Sequence, residues 1–299
     1  MTPLVSVVIP NLNSPIIDRT LSALRRQAYH LSDMEVWVVG LDELKLVKTD
    51  EMVHMVDTRV PVPPAIARNI GIRESAGEII CLLDADCIPH SLWLRNLLRR
   101  YDDPSVNIVG GGVDFPPGNY WCLSDNIATF YQYHFSLRPG IREQLPSLNL
   151  SFRRKVWEEV GPFDERYPLP SGEDADWTTR ARLMGYTLYF EPQAVVTHCP
   201  NRTSFKDFWD HAVNFGQYSV KVDERYREIL GLPFIFRYWW LLLLVSPVMA
   251  LWITARIFRN RQLWHFLHTL PAIYVAKIGW CWGASKRLRG KVVWRSLNP

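Results

Sequence analysis

The chain of 299 residues is 48% hydrophobic and 21% charged, enough for one large domain or two modest ones. That composition excludes a disordered chain, a collagen and a disulfide-stapled miniprotein. A mean hydropathy of −0.08 excludes a polytopic membrane protein. The net charge of +4 hides an asymmetry: residues 1–225 hold 23 Lys/Arg against 29 Asp/Glu, whereas residues 226–299 hold 11 against one, together with seven of the 13 tryptophans. A basic, Trp-rich tail on an acidic body points to an anionic membrane surface or to nucleic acid. The five cysteines (Cys81, Cys87, Cys122, Cys199, Cys281) form no CxxC pair and no zinc-ligand spacing, which implies a reduced cytosolic setting. Met1-Thr2-Pro3 lead straight into Val5–Ile9 without the basic and long apolar regions of a secretory signal. A folded domain is therefore expected from the first residues.

The first half alternates between strand and helix patterns. Val5–Ile9 is an apolar, largely β-branched run that suits a strand buried on both faces. Ile16, Leu21 and Leu24 follow at helical spacing, then Val36–Val39 and Met52–Val56 read as strands. Pro64 to Ile72 predicts a helix with proline in its first turn. Ile79–Leu83 is a further strand that stops at Asp84-Ala85-Asp86. Ser91 then caps a helix through Arg100, and Val106–Val109 is the next strand. Repeated βα units imply a mainly parallel sheet whose ligands sit beyond the carboxyl ends of its strands, where Asp84 and Asp86 lie. From Gly110 to Leu145 the chain is rich in glycine, proline and aromatic residues, predicting irregular structure or lids. Leu148–Phe152 resumes as a strand and Arg154–Val160 as a short helix. Ala175–Met184 predicts a helix closed by Gly185, followed by two short strands, Tyr186–Phe190 and Ala194–Thr197, and then His198.

Two pairs of acids stand out. Asp84 and Asp86 flank one small residue at a strand end, where their mutual repulsion is relieved by a hard divalent cation, Mg²⁺ or Mn²⁺, bridging to phosphates. The bland alternative is an acidic loop capping the next helix. Glu173-Asp174 precede a helix, where the dipole and free N–H groups favour carboxylates. They serve either as an N-terminal cap or as a general base for a hydroxyl. His198 is either a strand-end histidine bonded to backbone or a nitrogen ligand to a metal.

Taken in order, VSVVIPNLNS, ARNIGIRESAGEIICLLDADCIP and NLSFRRKVWEEVGPFDERYPLPSGEDADWTTRARLMGYTLYFEPQAVVTH closely resemble the family 2 inverting glycosyltransferases over about residues 4–200. The resemblance implies an α/β GT-A fold, Rossmann-like and mainly parallel with flanking helices, here followed by C-terminal hydrophobic helices. By the same similarity, Asp84 and Asp86 would bind the metal and the donor diphosphate. Asp174, with Glu173 beside it, would be the catalytic base, and His198 would match a further metal-ligand position of some relatives. Arg68 and Asn69 would lie along the nucleotide, and Pro10 and Asn11 would open the loop under the base. One place departs from the pattern: the aspartate pair that usually follows the second strand is replaced by Val39-Gly40-Leu41-Asp42-Glu43. Either Asp42 substitutes there with a shifted register, or backbone groups recognise the base. A single base and a single displacement would invert the anomeric centre. The two carboxyls of a glycoside hydrolase act otherwise, because there one acid protonates the leaving oxygen.

Residues 1–225 are thus expected to form the GT-A domain, with the nucleotide-sugar part to about residue 115 and the acceptor part over 116–225. Residues 226–299 form a basic, Trp-rich helical tail. Within it, Tyr238 to Ala255 gives 18 uncharged residues, the lower limit for a spanning helix. Leu263–Ser285 is interrupted by His265, His268, Pro271 and Lys277. Basic flanks at Arg237, at Arg256, Arg259 and Arg261, and at Lys286, Arg287 and Arg289 oppose a single crossing under the positive-inside preference. A re-entrant hairpin or two interfacial helices would keep them all on the cytoplasmic side, whereas a soluble enzyme would bury the same segments in a hairpin or dimer interface. The reading is a metal-dependent enzyme at the cytoplasmic face of a membrane, the inner membrane in a bacterium. It would bind a nucleotide-sugar donor, a lipid-linked or glycan acceptor, and the membrane surface through residues 237–289. The alternatives are a non-catalytic sugar-nucleotide-binding scaffold and a nucleotidyltransferase, against which stands the lack of a glycine-rich loop after the first strand. No groove-reading motif supports nucleic acid as a partner.

Overall fold

The computed structural model describes residues 5–30 and 33–290; residues 291–299 of the basic tail lie outside them. In chain order come β1 (Val5–Leu12), α1 (Ile17–Arg25), β2 (Met34–Leu41), β3 (Val53–Asp57), α2 (Pro64–Glu74), β4 (Ile79–Leu83), β5 (Cys87–Pro89), α3 (Trp93–Leu98), β6 (Ile108–Asp114), α4 (Tyr120–Phe130), β7 (Gly140–Ile141), β8 (Asn149–Arg153), α5 (Arg154–Val160), α6 (Glu173–Leu183), β9 (Leu188–His198), α7 (Phe205–Gln217), α8 (Trp239–Ile257) and α9 (Leu270–Leu288). They gather into two compact units, one of residues 5–114 with 133–199, the other of residues 115–132 with those from 200 onward. The second unit thus takes in α4 and α7, although the composition changes only at residue 226.

The first unit is a single sheet in the order β3-β2-β1-β4-β8-β6-β9-β5, with β7 on β9. The β3-β2-β1-β4 half is parallel, as the βα repeats predict. The other half is mixed: β8 runs antiparallel to β4 and β6, and β5 and β7 run antiparallel to β9. β4 is buried at every residue, and so are the first five residues of β1, which explains why Ser6 is the one polar residue in these two runs. Beneath the sheet Trp177 of α6 packs on Phe152 and Phe163, with ring centroids 4.7 and 5.3 Å apart. The indole N–H of Trp177 donates to the Gly161 carbonyl, as a buried tryptophan requires.

Two elements differ from the pattern reading. Glu191-Pro192-Gln193 breaks the hydrophobic run, yet β9 passes through it as one strand, the interruption being absorbed by a register shift opposite Gly111 and Gly112. The stretch predicted to be irregular holds the end of β6, all of α4 and β7. Asn119 starts α4 by accepting from the Trp121 and Cys122 amides, an N-cap set inside an aromatic-rich passage.

In the second unit a capping box of Ser204 and Asp207 starts α7. The C-terminal apolar segment is not one helix: a 3₁₀ stretch over Arg261–Thr269 precedes α9, which begins with proline at its first turn. α7 and α9 touch through their backbones. A Cβ on Gly216 would stand 1.9 Å from the Trp280 carbonyl, and one on Gly283 1.9 Å from that of Val213, so glycine alone permits the approach. α8 lies on α9 through Leu242, which packs with Cys281 and Ala284.

Candidate active site

β4 ends at Leu83, and the chain turns as the Cys87 amide donates to the Asp84 carbonyl at 3.0 Å. Ser14 of the first βα connection and Thr20 of α1 clamp this turn, both hydroxyls donating to the Ala85 carbonyl at 3.0 and 3.2 Å. Asp84 and Asp86 are therefore held on a fixed backbone with their side chains 31% exposed. β9 ends opposite, pairing His198 with Cys87. The buried His198 ring places Nε2 3.6 Å from Asp86 Oδ1. Two donors on one cation, each at about 2.1–2.2 Å, stand roughly 3 Å or a little more apart, so this pair fits a divalent ion. Cys87 completes a cluster of three potential ligand atoms within 4.8 Å. Burial first, then Asp86 and Asp84, push its thiol well above the usual range, leaving it a poor partner for a hard cation.

Arg68 of α2 joins the two acidic motifs. Its Nη2 donates to Asp84 Oδ1 at 2.8 Å and its Nη1 to Glu173 Oε1 at 2.7 Å. Burial works against the guanidinium's charge, but Asp84, Glu173 and Asp174 outweigh it and raise its pKa. Burial raises the Glu173 carboxyl to about 7 and the neighbouring Asp174 adds to this, while Arg68 pulls the other way. The second oxygen of Glu173 and Nε of Arg68 have no hydrogen-bond partner among the described residues.

Asp174 is held differently. It opens the first turn of α6 half-buried, with Oδ2 accepting from the Ser147 amide at 3.0 Å and hydroxyl at 3.2 Å, and Oδ1 from the Ala175 amide at 2.7 Å. Those donors fix the carboxylate: Oδ2 is filled by its two bonds, while Oδ1, with one, keeps a lone pair for a hydroxyl. The buried Asn69 brackets Phe163, accepting from its amide and donating to its carbonyl, both at 2.9 Å, and donates to Glu165 as well. Arg180 of α6 binds the same loop through the Val160 and Pro162 carbonyls. The ARN helix and the GED helix are thus fastened to one connection.

On the far side of β1, Pro10 and Asn11 pair with Val39 and Gly40. The Asn11 side chain donates to the Leu41 carbonyl and accepts from the Ser14 amide. Gly40, at φ +136°, approaches so closely that a Cβ would meet the Asn11 carbonyl at 1.9 Å. This explains why glycine, not an acid, stands there. Asp42 accepts from the Leu46 and Val47 amides at 3.1 and 2.8 Å, closing its own turn.

The structure brings together Arg68, Asp84 and Glu173, and separately Asp86 with His198; Pro10, Asn11 and Asp42 lie along the β1–β2 edge, and Asn69 faces the 163–165 loop. Sequence reasoning missed Ser147, Ser14 and Thr20. No local pattern marks them, because each acts across a turn that only the folded sheet defines.

Two family models match the chain, Glycosyl transferase family 2 over residues 6–148 and Glycosyl transferase family group 2 over residues 79–280. Glycosyltransferase AglE of Haloferax volcanii is 33% identical over 206 residues, 66% of this chain and 67% of that protein. Pre-mycofactocin glycosyltransferase of Mycobacterium tuberculosis is 32% identical over 221 residues, 68% of this chain but only 44% of that longer protein. Among solved structures, mannosyltransferase PcManGT from Pyrobaculum calidifontis, in complex with GDP-Man and Mn²⁺, superposes with a TM-score of 0.59 at 20% identity, over 98% of this chain and 89% of that one. With its mixed α/β sheet of GT-A type and these relatives, the chain belongs to glycosyltransferase family 2 and is a glycosyltransferase.

Proposed function

We propose that the protein transfers a sugar from a nucleoside-diphosphate donor to a hydroxyl of a lipid-linked or glycan acceptor, with inversion, at the cytoplasmic face of a membrane. The observation that carries this is Arg68 hydrogen-bonded to both Asp84 and Glu173, which ties the donor-side acids to the helix that presents Asp174. Asp84, Asp86 and His198 would hold a divalent cation, and PcManGT, solved in complex with GDP-Man and Mn²⁺, supports that choice. The chemistry such an ion supplies when bound is neutralisation of the charge that develops on the leaving diphosphate. Asp174, oriented by Ser147, accepts the proton of the acceptor hydroxyl as its oxygen attacks the anomeric carbon. The bond to the acceptor oxygen forms as the bond to the diphosphate oxygen breaks, so one displacement inverts the centre. Pro10, Asn11 and Asp42 would border the base, with Arg68 and Asn69 supporting the donor side from beneath.

The membrane reading is supported by α8, whose polarity is inverted. Its buried residues are Leu242, Ser246, Ala250, Thr254 and, at its end, Ile257, while Trp240, Leu244, Val248, Leu251 and Trp252 face outward. A helix more apolar outside than inside is suited to lipid rather than water.

The test is a screen of nucleotide sugars against purified protein with Mn²⁺ or Mg²⁺, scored by donor binding and metal-dependent hydrolysis or transfer. Asp86→Asn should lose the metal-dependent share of donor binding with the fold intact, because the residue is at a strand end rather than in the core. Wild-type affinity of that variant for both Mn²⁺ and nucleoside diphosphate would sink the metal assignment.

A further inference from the structure

We infer that the second unit is monotopic: α8 lies flat in one face of an anionic bilayer, at headgroup depth, and does not cross it. This rests on the membrane association proposed above and adds its geometry. By length and composition α8 qualifies as a span, with 19 residues of mean hydropathy 1.8. What excludes a crossing is the packing behind it.

α9 runs antiparallel to α8: Arg289 lies over the Trp239 ring at 3.6 Å at one end, and Leu242 meets Cys281 and Ala284 further along. An adjoining side of α9 is covered by α7, which runs parallel to it, Trp209 and Ala212 lying against Gly279, Val213 against Gly283, and Gly216 against Trp280 and Ala284. Those registers set the first turns of α7 level with the middle of α8. There α7 carries Lys206 and Asp210, ion-paired at 2.7 Å with side chains 83% and 53% exposed, and Asp207 beside them. Were α8 to cross, these three charges would sit at the depth of the hydrocarbon centre, where each carries a cost of several kcal/mol. Laid flat, α8 buries its outward Trp240, Leu244, Val248 and Trp252, while α9 and α7 form successive layers toward water.

Charge complementarity names the occupant. Cations lie over tryptophans at both ends of α8 and beyond: Arg289 on Trp239 at 3.6 Å, Arg256 on Trp252 at 5.5 Å, Arg261 on Trp264 at 5.6 Å and Lys286 on Trp282 at 6.0 Å. Tryptophan bodies with cationic partners belong at the headgroup level. Arg237 and Arg259 add exposed positive charge before and after the helix. Anionic lipid headgroups meet that pattern, and placing both ends of α8 on one face satisfies the positive-inside preference that a single crossing would violate.

The experiment uses the full chain in inside-out vesicles from an expressing bacterium, with Arg237→Cys and Arg259→Cys made separately. Labelling by a membrane-impermeant maleimide is compared with the parent protein before and after detergent. Flat insertion predicts that both added cysteines label fully without detergent. Labelling of only one of the two would mean that α8 enters or crosses the bilayer instead of lying along its surface. Protection of both would place them beyond the outer face. Any of these overturns the inference while leaving membrane association intact. Protein that stays in the supernatant when the vesicles are pelleted would instead overturn the association itself, and the topology with it.

Discussion

Arg68 and Glu173, 105 residues apart in sequence, meet at 2.7 Å with both side chains almost wholly excluded from solvent. Removing Arg68 leaves a buried carboxyl that neutralises instead of staying charged, at about 1–3 kcal/mol for the hydrogen bond it loses. Arg68→Met should lower unfolding free energy on that scale and also weaken donor binding, because Asp84 loses its 2.8 Å partner. Arg68→Lys should recover only part of both, since one ammonium cannot reproduce a guanidinium fork spanning two carboxylates. Denaturant unfolding and nucleotide titration of the two variants check this; unchanged stability in Arg68→Met would remove the bridge from the account.

The two adjacent acids should separate under mutation. Asp174→Asn keeps the Ser147 bonds approximately in place but cannot accept the acceptor's proton at neutral pH. Transfer should fall by about 100-fold or more, with donor affinity near normal. Glu173→Gln touches no reacting atom in the proposed scheme. Its effect should appear mainly in stability and donor affinity. A larger loss of turnover in Glu173→Gln than in Asp174→Asn would move the base by one residue.

Glu173 also makes a pH prediction. Burial, with Asp174 second, raises its carboxyl from 4.5 to about 7 in the folded chain. The native state therefore holds a proton that the unfolded chain has released between those values. The stability this contributes is complete below about pH 4.5 and is lost as pH rises through about 7. Melting temperature of the wild type should fall between pH 5 and 8 relative to Glu173→Gln, in which that slope is absent. Parallel curves for the two proteins would contradict the raised value.

Parts of this site are legible from the sequence for identifiable reasons. Five apolar residues ending in Asp84-Ala85-Asp86 can only be a buried strand meeting an exposed turn, and the structure has β4 stop there. Glu173-Asp174 ahead of Ala175–Met184 reads as a helix start by capping chemistry alone, and α6 opens at Glu173. Ser147 is not legible, because its bonds to Asp174 span 27 residues and depend on how the chain enters β8. The reversed direction of β8 is equally hidden, since alternation records which face a residue takes and says nothing of strand polarity. α4 escapes the periodicity argument because seven of its residues are buried, Ser124, Asp125 and Asn126 among them. No polar outer face is left to mark it.

Ending the chain after residue 225 puts the boundary drawn from charge to the test. By composition, the body should survive that cut as a soluble enzyme without its tail. The contacts of the second unit predict otherwise. α9 covers Ala212, Val213 and Gly216 of α7, and Lys277 of α9 donates to the Ala128 carbonyl at the end of α4. The cut would expose that face of α7 and leave the carbonyl to water, with no other part of the second unit to replace α9. The truncated protein should aggregate or lose the helical signal of α4 and α7. By contrast, Leu244→Ser with Val248→Ser, both on the outward face of α8, should keep full helicity and a normal melting temperature while reducing sedimentation with anionic vesicles. Circular dichroism and vesicle pelleting separate the two cases. A truncated protein that is monomeric and fully folded would support the boundary at 225 and show that α8 and α9 are a removable appendage.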